Sequence, residues 1–455
     1  MTDMEFVTEL IAKARAAQQE FETYSQEQVD KAVRAVGKVI YDHGDELAKL
    51  AVEETRMGDY ASKIVKNTAK AKAVWYRMKG VKSRGIIERD ERNGIIKVAK
   101  PIGVIGCIPP TTNPTMTPMH NAMCALKGGN ALIVSPHPRA KKTSTVSCEL
   151  MRQALAEIGA PVDLIQVIPE PTIELSGLIM KLCDATIATG GPGMVKAAYS
   201  SGKPSFGVGA GNVQTIVDTD AVIAEIAPMI AKSRTYDNGV LCTCEQCIHV
   251  QEDSLDEMVA AMQAQGAYYI SDPKDVDALR QAMFGTGSIN KDCVGSNPAA
   301  IAKMAGITVP DDTKMLMVRI HAFGKDELLA KEKLCPVICI TTYKTFEQAV
   351  ANAKCNLLNE GAGHSAIVHS HTQAHIEYAG EELPVSRIGV NMVGSSGLGG
   401  GLDNGLMPTA TLGCGTWGNN SISENLWWNH LVNIARIAYR NPDAKIPTDE
   451  EIWAE

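Results

Sequence analysis

The chain has 455 residues, with 44 Lys and Arg against 52 Asp and Glu, 45% hydrophobic and 21% charged residues. Such a length exceeds one ordinary domain and suggests two or three, and the net charge of -8 argues against a general nucleic-acid binder, whose phosphate contacts need a basic face. The 12 cysteines are scattered rather than set in a small-domain framework, the first residues lack a basic, apolar leader, and no stretch approaches about 18 consecutive apolar residues, so a cytoplasmic enzyme without a membrane partner is expected.

Residues 4 to 78 read as helices. Phe6, Val7, Leu10, Ile11 and Ala14 recur at helical spacing, and Ser25 with Gln28 forms a capping box ahead of Val29, Val33, Val36 and Ile40. An amphipathic first helix can serve as a targeting or cargo tag; packing on its own domain is the commoner role. Lys63, Lys66 and Lys70 share one face if 59–76 is a helix, and such a stripe is usually a solvated face. Next, two β-rich runs flank Asn93-Gly94, a hairpin signal.

From Pro101 short apolar strands alternate with helices, the pattern of a parallel α/β sheet. Strands are expected at 102–108, 131–134, 163–167, 184–188, 213–217 and 313–318, with another run at 334–338. Ligands of doubly wound sheets bind beyond the C-terminal strand ends. Three stretches there are candidates: Thr111 to Asn113, the basic run His137, Arg139, Lys141 and Lys142, and the turn Thr189-Gly190-Gly191-Pro192-Gly193. That turn is not G-x-G-x-x-G, and the alternative is that its glycines only permit a tight strand-to-helix corner.

Tyr236-Asp237-Asn238-Gly239-Val240-Leu241-Cys242 brings a cysteine out of an Asn-Gly turn at the start of an apolar run. A cysteine attacks as its thiolate and needs partial exposure and nearby donors, which a turn's amides supply. Cys242 is therefore the candidate nucleophile; the alternative is inert buried filler. Cys242, Cys244, Cys247 and His249 are also possible zinc ligands, but structural zinc sites draw on two separated pairs and no second pair follows.

The run Asp237 to Cys242, followed by Glu245-Gln246, resembles the nucleophile segment of the CoA-acylating aldehyde dehydrogenases, and the resemblance extends from about residue 4 to the C-terminus. Within that group it is nearest the succinate-semialdehyde dehydrogenases (succinyl-CoA reductases). The resemblance implies an α/β aldehyde dehydrogenase fold of two parallel-sheet lobes. Residues 1–82 and 101–234 would form the dinucleotide-binding domain, 83–100 an oligomerisation hairpin arm that crosses to a neighbouring subunit, 235–425 the catalytic domain, and 426–455 a C-terminal helix and tail. A homodimer or homotetramer would follow.

It also implies roles for individual residues. Asn113, in Thr-Asn-Pro, would join the Cys242 amide as an oxyanion donor. Thr111, His137, Arg139, Lys141, Gly190, Gly193 and Glu332 would lie on NADP or NAD, with Glu332 on a ribose and Arg139 favouring a 2′-phosphate. Gly207 stands where hydrolytic relatives carry the Glu that activates water, so CoA is the expected acyl acceptor. His364, in Gly361-Ala362-Gly363-His364-Ser365, either shuttles the CoA thiol proton or is structural. Residues 411–425 match the family's C-terminal signature, to which no single chemical role attaches. Lys70 aimed into an aldehyde tunnel, with Thr243 adding a hydroxyl, would select an acyl group with a distal anion; succinyl-CoA and succinate semialdehyde fit, as does sulfoacetaldehyde. Acetaldehyde and propionaldehyde are neutral alternatives, and no metal is required.

Overall fold

Side-chain caps start the N-terminal helices. In the computed structural model, which describes residues 1–455 apart from the side chain of Pro192, Thr2 and Ser25 each accept from the amide three residues on, while Glu5 and Gln28 reach back. These boxes open α1 (Asp3–Phe21) and α2 (Gln26–Asp42). The helices α3 (Gly44–Thr55) and α4 (Tyr60–Met78, capped by Asp59) follow. β1 (Gly85–Asp90) and β2 (Ile95–Pro101) form the expected antiparallel hairpin, turned with Gly94 at φ +63°.

β3 (Val104–Ile108), β4 (Ala131–Val134), β5 (Ile165–Val167), β6 (Ala185–Thr189) and β7 (Ser205–Val208) make a five-stranded parallel sheet in the order β5-β4-β3-β6-β7. The order reverses between β3 and β6. Thr111 to Asn113 follow β3 and Gly190 follows β6, so the switch point brings those two loops to one edge. The connecting helices are α5 (Met116–Lys127), α6 (Lys141–Glu157), α7 (Ile173–Leu182) and α8 (Pro192–Tyr199). Every residue of α5 is buried, because α2, α4 and α6 pack around it against the sheet.

The second sheet is parallel and seven-stranded: β8 (Val213–Val217), β9 (Glu245–Gln251), β10 (Ala267–Ile270), β11 (Met315–Arg319), β12 (Val337–Tyr343), β13 (Ala366–His369) and β14 (Ile388–Val390), in the order β10-β11-β12-β9-β8-β13-β14. Around it lie α9 (Ile223–Thr235), α10 (Leu255–Ala264), α11 (Pro273–Phe284), α12 (Pro298–Met304), α13 (Phe346–Asn359) and α14 (Gln373–Glu382). β8 pairs with β9 and β13, so the chain changes sheet between Val208 and Val213, ahead of the expected border at 234. Strand count alone could not show this, since β7 and β8 read alike as short apolar runs.

The C-terminal segment also departs from expectation. Instead of a long helix after 426, β15 (Val432–Ala438) adds a third antiparallel strand to the hairpin, preceded by the 3-10 turn Trp428–Leu431 and followed by the short α-helical segment Asp449–Trp453. Val432 and Ile434 alternate with polar or small residues and meet Pro101 and Ala99 of β2. No helix among the described residues is long and apolar enough to cross a membrane.

Candidate active site

Cys242 lies three residues before β9, in a turn built from unusual backbone. Asp237 and Asn238 are left-handed (φ 51° and 50°), as is Gly239 (φ 66°). Asp and Asn tolerate that region better than most residues. Gly239 is required there twice over, because a Cβ would stand 2.7 Å from both the Arg234 guanidinium and the Cys335 carbonyl. Fully buried Arg234 donates to the carbonyls of Glu245 (3.0 Å), Gly239 (3.2 Å) and Cys335. Asn238 donates to Gly58 O and Gly295 O at 3.3 and 3.1 Å. The turn is thus held from both lobes.

Cys242 is partly exposed, whereas Cys244 and Cys247 are buried. Its side chain packs on Val208, Leu412 and Cys414. Burial first, then Glu332 and Cys414, raise its thiol above the ordinary range, so the resting residue is a neutral thiol. Its amide has no acceptor among the described residues. Cys247 and His249 lie on β9, and His249 Nε2 bonds Gln214 Oε1 at 3.0 Å. Among the described residues no three His, Cys, Asp or Glu side chains group to hold a metal ion.

The cleft lies between opposite strand ends. Asn113 and Gly190 follow the C-terminal ends of β3 and β6, whereas Cys242, Glu332 and His364 precede the N-terminal ends of β9, β12 and β13. Glu332 accepts from Gly211 N at 2.8 Å, and its own amide donates to Glu360 at 2.8 Å. Burial and repulsion by Glu360 lift its carboxyl to about 8. A cavity of about 690 Å³ opens beside it, bordered by Tyr199, Gly209, Leu358, Glu360, Cys414 and Trp417.

The glycine turn fits a dinucleotide. A Cβ at Gly191 or Gly193 would meet open space, so packing does not demand these glycines, and the buried Thr189 hydroxyl beside them has no partner. An absent side chain and an orphaned donor at a strand end suit a phosphate or ribose. Thr111 is half-buried after β3, and His137 and Arg139 are exposed after β4, with His137 Nδ1 accepting from the Arg139 amide at 3.1 Å. Lys141 is engaged by Glu170. The N-terminus of α6 is already capped by Glu54, which accepts from the amides of Lys142 and Thr143 at 2.8 and 2.7 Å.

Three of the expected residues are engaged by the protein itself. Lys70 is not free in a tunnel: its ammonium donates to the carbonyls of Gly399 (2.9 Å) and Gly400 (3.2 Å), and burial lowers its pKa to about 8. Thr243 is buried, its hydroxyl 3.5 Å from Ser395 O. His364 does not titrate near neutrality, because burial and then Arg387 push it down to about 3; Nδ1 meets Ser365 Oγ at 3.0 Å and Nε2 has no partner. Lys63, Lys66 and Asp237 were the residues missed. The two ammoniums, each 5% exposed, share the fully buried Asp237 carboxylate, Lys63 at 3.1 Å, and Lys66 also donates to Asn113 Oδ1 at 2.8 Å. The lysine spacing was visible, but their partners lie elsewhere in the chain.

Residues 1–284 match the aldehyde dehydrogenase family. The succinate-semialdehyde dehydrogenase (acetylating) of Clostridium kluyveri is 46% identical over 447 residues, 98% of either chain. The chain belongs to the CoA-acylating aldehyde dehydrogenases. A sulfoacetaldehyde dehydrogenase of an Acholeplasma species is 40% identical over 98% of this chain and 93% of its own. The crystal structure of an acetylating aldehyde dehydrogenase from Geobacillus thermoglucosidasius matches with TM-score 0.93 at 37% identity, over 98% of both chains. The fold and the recognised family therefore stand as expected. As an acylating aldehyde dehydrogenase the protein is an oxidoreductase using a nicotinamide cofactor and CoA.

The space beside Gly207 is filled by Tyr199 and Val195. A Cβ on Gly207 would lie 2.8 Å from the Tyr199 ring and 2.9 Å from Val195. Tyr199 also latches the signature loop, because Ser421 N donates to its hydroxyl at 3.2 Å and Ser421 Oγ donates to Ser205 O at 2.8 Å. From the other lobe Arg387 donates to His364 O at 2.8 Å and to Gly413 O, so residues 411–425 bridge the two sheets.

Proposed function

We propose that this acylating dehydrogenase interconverts succinyl-CoA and succinate semialdehyde through a thioester on Cys242, using NADP(H). The acyl-transfer chemistry rests on one observation: position 207 carries no carboxylate, and a Cβ there would already crowd Tyr199 and Val195, so water lacks the base of the hydrolytic relatives and a thiol takes the acyl group. In reduction, Cys242 Sγ attacks the acyl-CoA carbonyl, its proton passes to the departing CoA sulfur, and the Cys242 thioester remains. The bound nicotinamide cofactor supplies the hydride in this direction and accepts it in the other. Asn113 Nδ2 and the Cys242 amide stand as donors to the oxyanion before and after that transfer. The resulting thiohemiacetal then releases the aldehyde as the Cys242 sulfur takes up a proton from solvent, one proton being consumed per reduction.

Support for a distal anion comes from α4. Lys63, Lys66 and Lys70 have a single carboxylate, Asp237, among their partners, so positive charge is left over beside the cleft. Sulfoacetaldehyde is the second reading, favoured by the Acholeplasma relative, since it too is a short aldehyde with an anion. For NADP the support is Arg139, exposed beyond β4 and without an ion pair among the described residues. Near neutral pH His364 is a neutral imidazole. The three-stranded arm, with Ile437 and Tyr439 exposed, suits a homodimer or homotetramer. The test is a panel of acyl-CoA esters run with NADH and with NADPH: highest kcat/KM for succinyl-CoA with NADPH is expected, and a neutral ester preferred over succinyl-CoA would overturn the substrate.

A further inference from the structure

We propose that Lys66 is the positioning residue of the oxyanion site, fixing the Asn113 amide with its N–H end toward the acyl carbonyl and tying it to the nucleophile turn. This rests on Asn113 acting as an oxyanion donor. An asparagine side chain can present either its carbonyl or its NH₂ to a ligand, and only the NH₂ end stabilises an anion. Lys66 Nζ occupies Asn113 Oδ1 at 2.8 Å, which leaves Nδ2 for the cleft; its nearest protein partner, Thr112 Oγ1, is 3.4 Å away. The same ammonium pairs with Asp237, which opens the turn ending at Cys242. One buried charge thereby sets the distance between the two donors.

The surrounding bonds make this attachment rigid. The neighbouring residue of α4, Asn67, accepts from Thr115 Oγ1 at 2.6 Å and donates to Gly44 O at 3.1 Å, so two consecutive residues of one helix hold the 113–115 loop. Ser144 Oγ bonds Pro114 O at 2.9 Å from the other side. On the nucleophile turn, Asp237 Oδ1 accepts from Asp59 N at 2.8 Å, and Asp237 N donates to Ser62 Oγ at 3.0 Å. Asp59 also caps α4. A cation on the amide oxygen also polarises the amide and strengthens its N–H as a donor. Lys63 provides a comparison inside the molecule, since it shares Asp237 yet has no bond to Asn113.

The experiment is a double-mutant cycle on the rate of Cys242 acylation, followed by quenched-flow mass spectrometry with acetyl-CoA or succinyl-CoA, whichever the wild type turns over faster. Asn113→Ala is expected to slow acylation ~100-fold, as for loss of other oxyanion donors. Lys66→Met is expected to slow it at least ~10-fold with little change in KM, while Lys66→Met/Asn113→Ala is no slower than Asn113→Ala within about threefold. Lys66→Arg should restore most of the rate. Lys63→Met, which also takes one cation from Asp237, should combine with Asn113→Ala multiplicatively. If Lys66→Met does not fold, Lys66→Gln, which keeps a donor of similar reach, carries the same cycle: its rate should lie between wild type and Asn113→Ala, and adding it to Asn113→Ala should slow acylation no further. Multiplicative effects of Lys66 and Asn113, or equal coupling for Lys63, would overturn the proposal while leaving Asn113 in place. No effect of Asn113→Ala would instead remove the oxyanion reading, and the role of Lys66 with it.

Discussion

The Gly207 amide donates to the Tyr199 hydroxyl at 2.9 Å, so the aromatic ring stands over the backbone position from which a hydrolytic base would reach the acyl-enzyme. Wild-type protein given aldehyde and oxidised cofactor without CoA should therefore release acid in at most one burst per Cys242. Gly207→Glu alone should not change that, since its side chain must first displace Tyr199, an overpacking cost of ~1–3 kcal/mol. The double variant with Tyr199→Ala has the room, and it should show sustained acid formation. Sustained acid release by the wild type without CoA would contradict the acylating chemistry.

Cys242→Ala should abolish acyl transfer and reduction together, while Cys244→Ala, one residue beyond Thr243 and buried, should keep the chemistry and lose about 1 kcal/mol of stability. Because burial and Glu332 hold the Cys242 thiol above its ordinary value of 9.0, its alkylation by iodoacetamide should keep rising through pH 9 without a plateau. At pH 9 Glu332, with a pKa of about 8, is largely ionised. Removing that charge in Glu332→Gln favours the thiolate, so alkylation at pH 9 should quicken. Slower alkylation in that variant would show that Glu332 does not face the thiol.

The turn that carries Cys242 was legible because Asn-Gly before an apolar run is a local signal, and the hairpin at Asn93-Gly94 was legible for the same reason. Arg234, Tyr199 and the Lys66–Asp237 pair were not. Each acts through partners from other elements, and their residue types alone suggest a solvated cation, a core aromatic and a surface stripe. The rule that ligands gather at C-terminal strand ends located Asn113 and the glycine turn, but it fails for the second sheet, whose N-terminal edge faces the cleft. There, only the family resemblance pointed to Glu332 and His364. β15 was hidden because Ala435, Arg436 and Ala438 favour helix, and its strand alternation is satisfied only by pairing with β2.

Buried histidines should make the fold acid-sensitive. His249 and His364 are held at about 3, chiefly by burial, against an ordinary value of 6.5. Between those values the unfolded chain binds protons that the folded chain refuses, so stability falls as pH drops below about 6.5. Each histidine contributes at most ~1.4 kcal/mol per pH unit in that window. Urea midpoints at pH 7, 6 and 5 should fall steadily, and His249→Gln, which cannot titrate, should flatten the slope by up to one proton. An unchanged slope in that variant would mean that His249 is solvated or protonated in the folded state.

Cofactor choice should depend on Arg139 more than on Lys141, because Lys141 is already engaged by Glu170. Arg139→Ala is expected to lower kcat/KM for NADPH about tenfold and leave NADH nearly unchanged, the loss of one charge-assisted contact to a 2′-phosphate. Lys141→Ala should alter both cofactors by less than about threefold. Equal use of both cofactors by the wild type, unchanged in Arg139→Ala, would remove the preference for NADP.

Substrate charge can be isolated by comparing succinyl-CoA with butyryl-CoA, which has the same chain length but no terminal carboxylate. A buried surplus of positive charge beside the cleft favours the anion, and loss of one charge-assisted hydrogen bond costs ~1.5–3 kcal/mol, about ten- to a hundredfold in kcat/KM. The wild type should therefore prefer succinyl-CoA by at least about tenfold. Lys70 has two donors committed to Gly399 and Gly400, which leaves one for a ligand. Lys70→Ala would thus free the 399–400 loop as well as remove a cation, and it should lower activity with both esters. If Lys70 also meets the anion, the loss is larger for succinyl-CoA and the ratio falls. An equal loss would assign Lys70 to the loop alone, with the distal anion facing other groups. A wild type that prefers butyryl-CoA would make a neutral short-chain aldehyde the substrate.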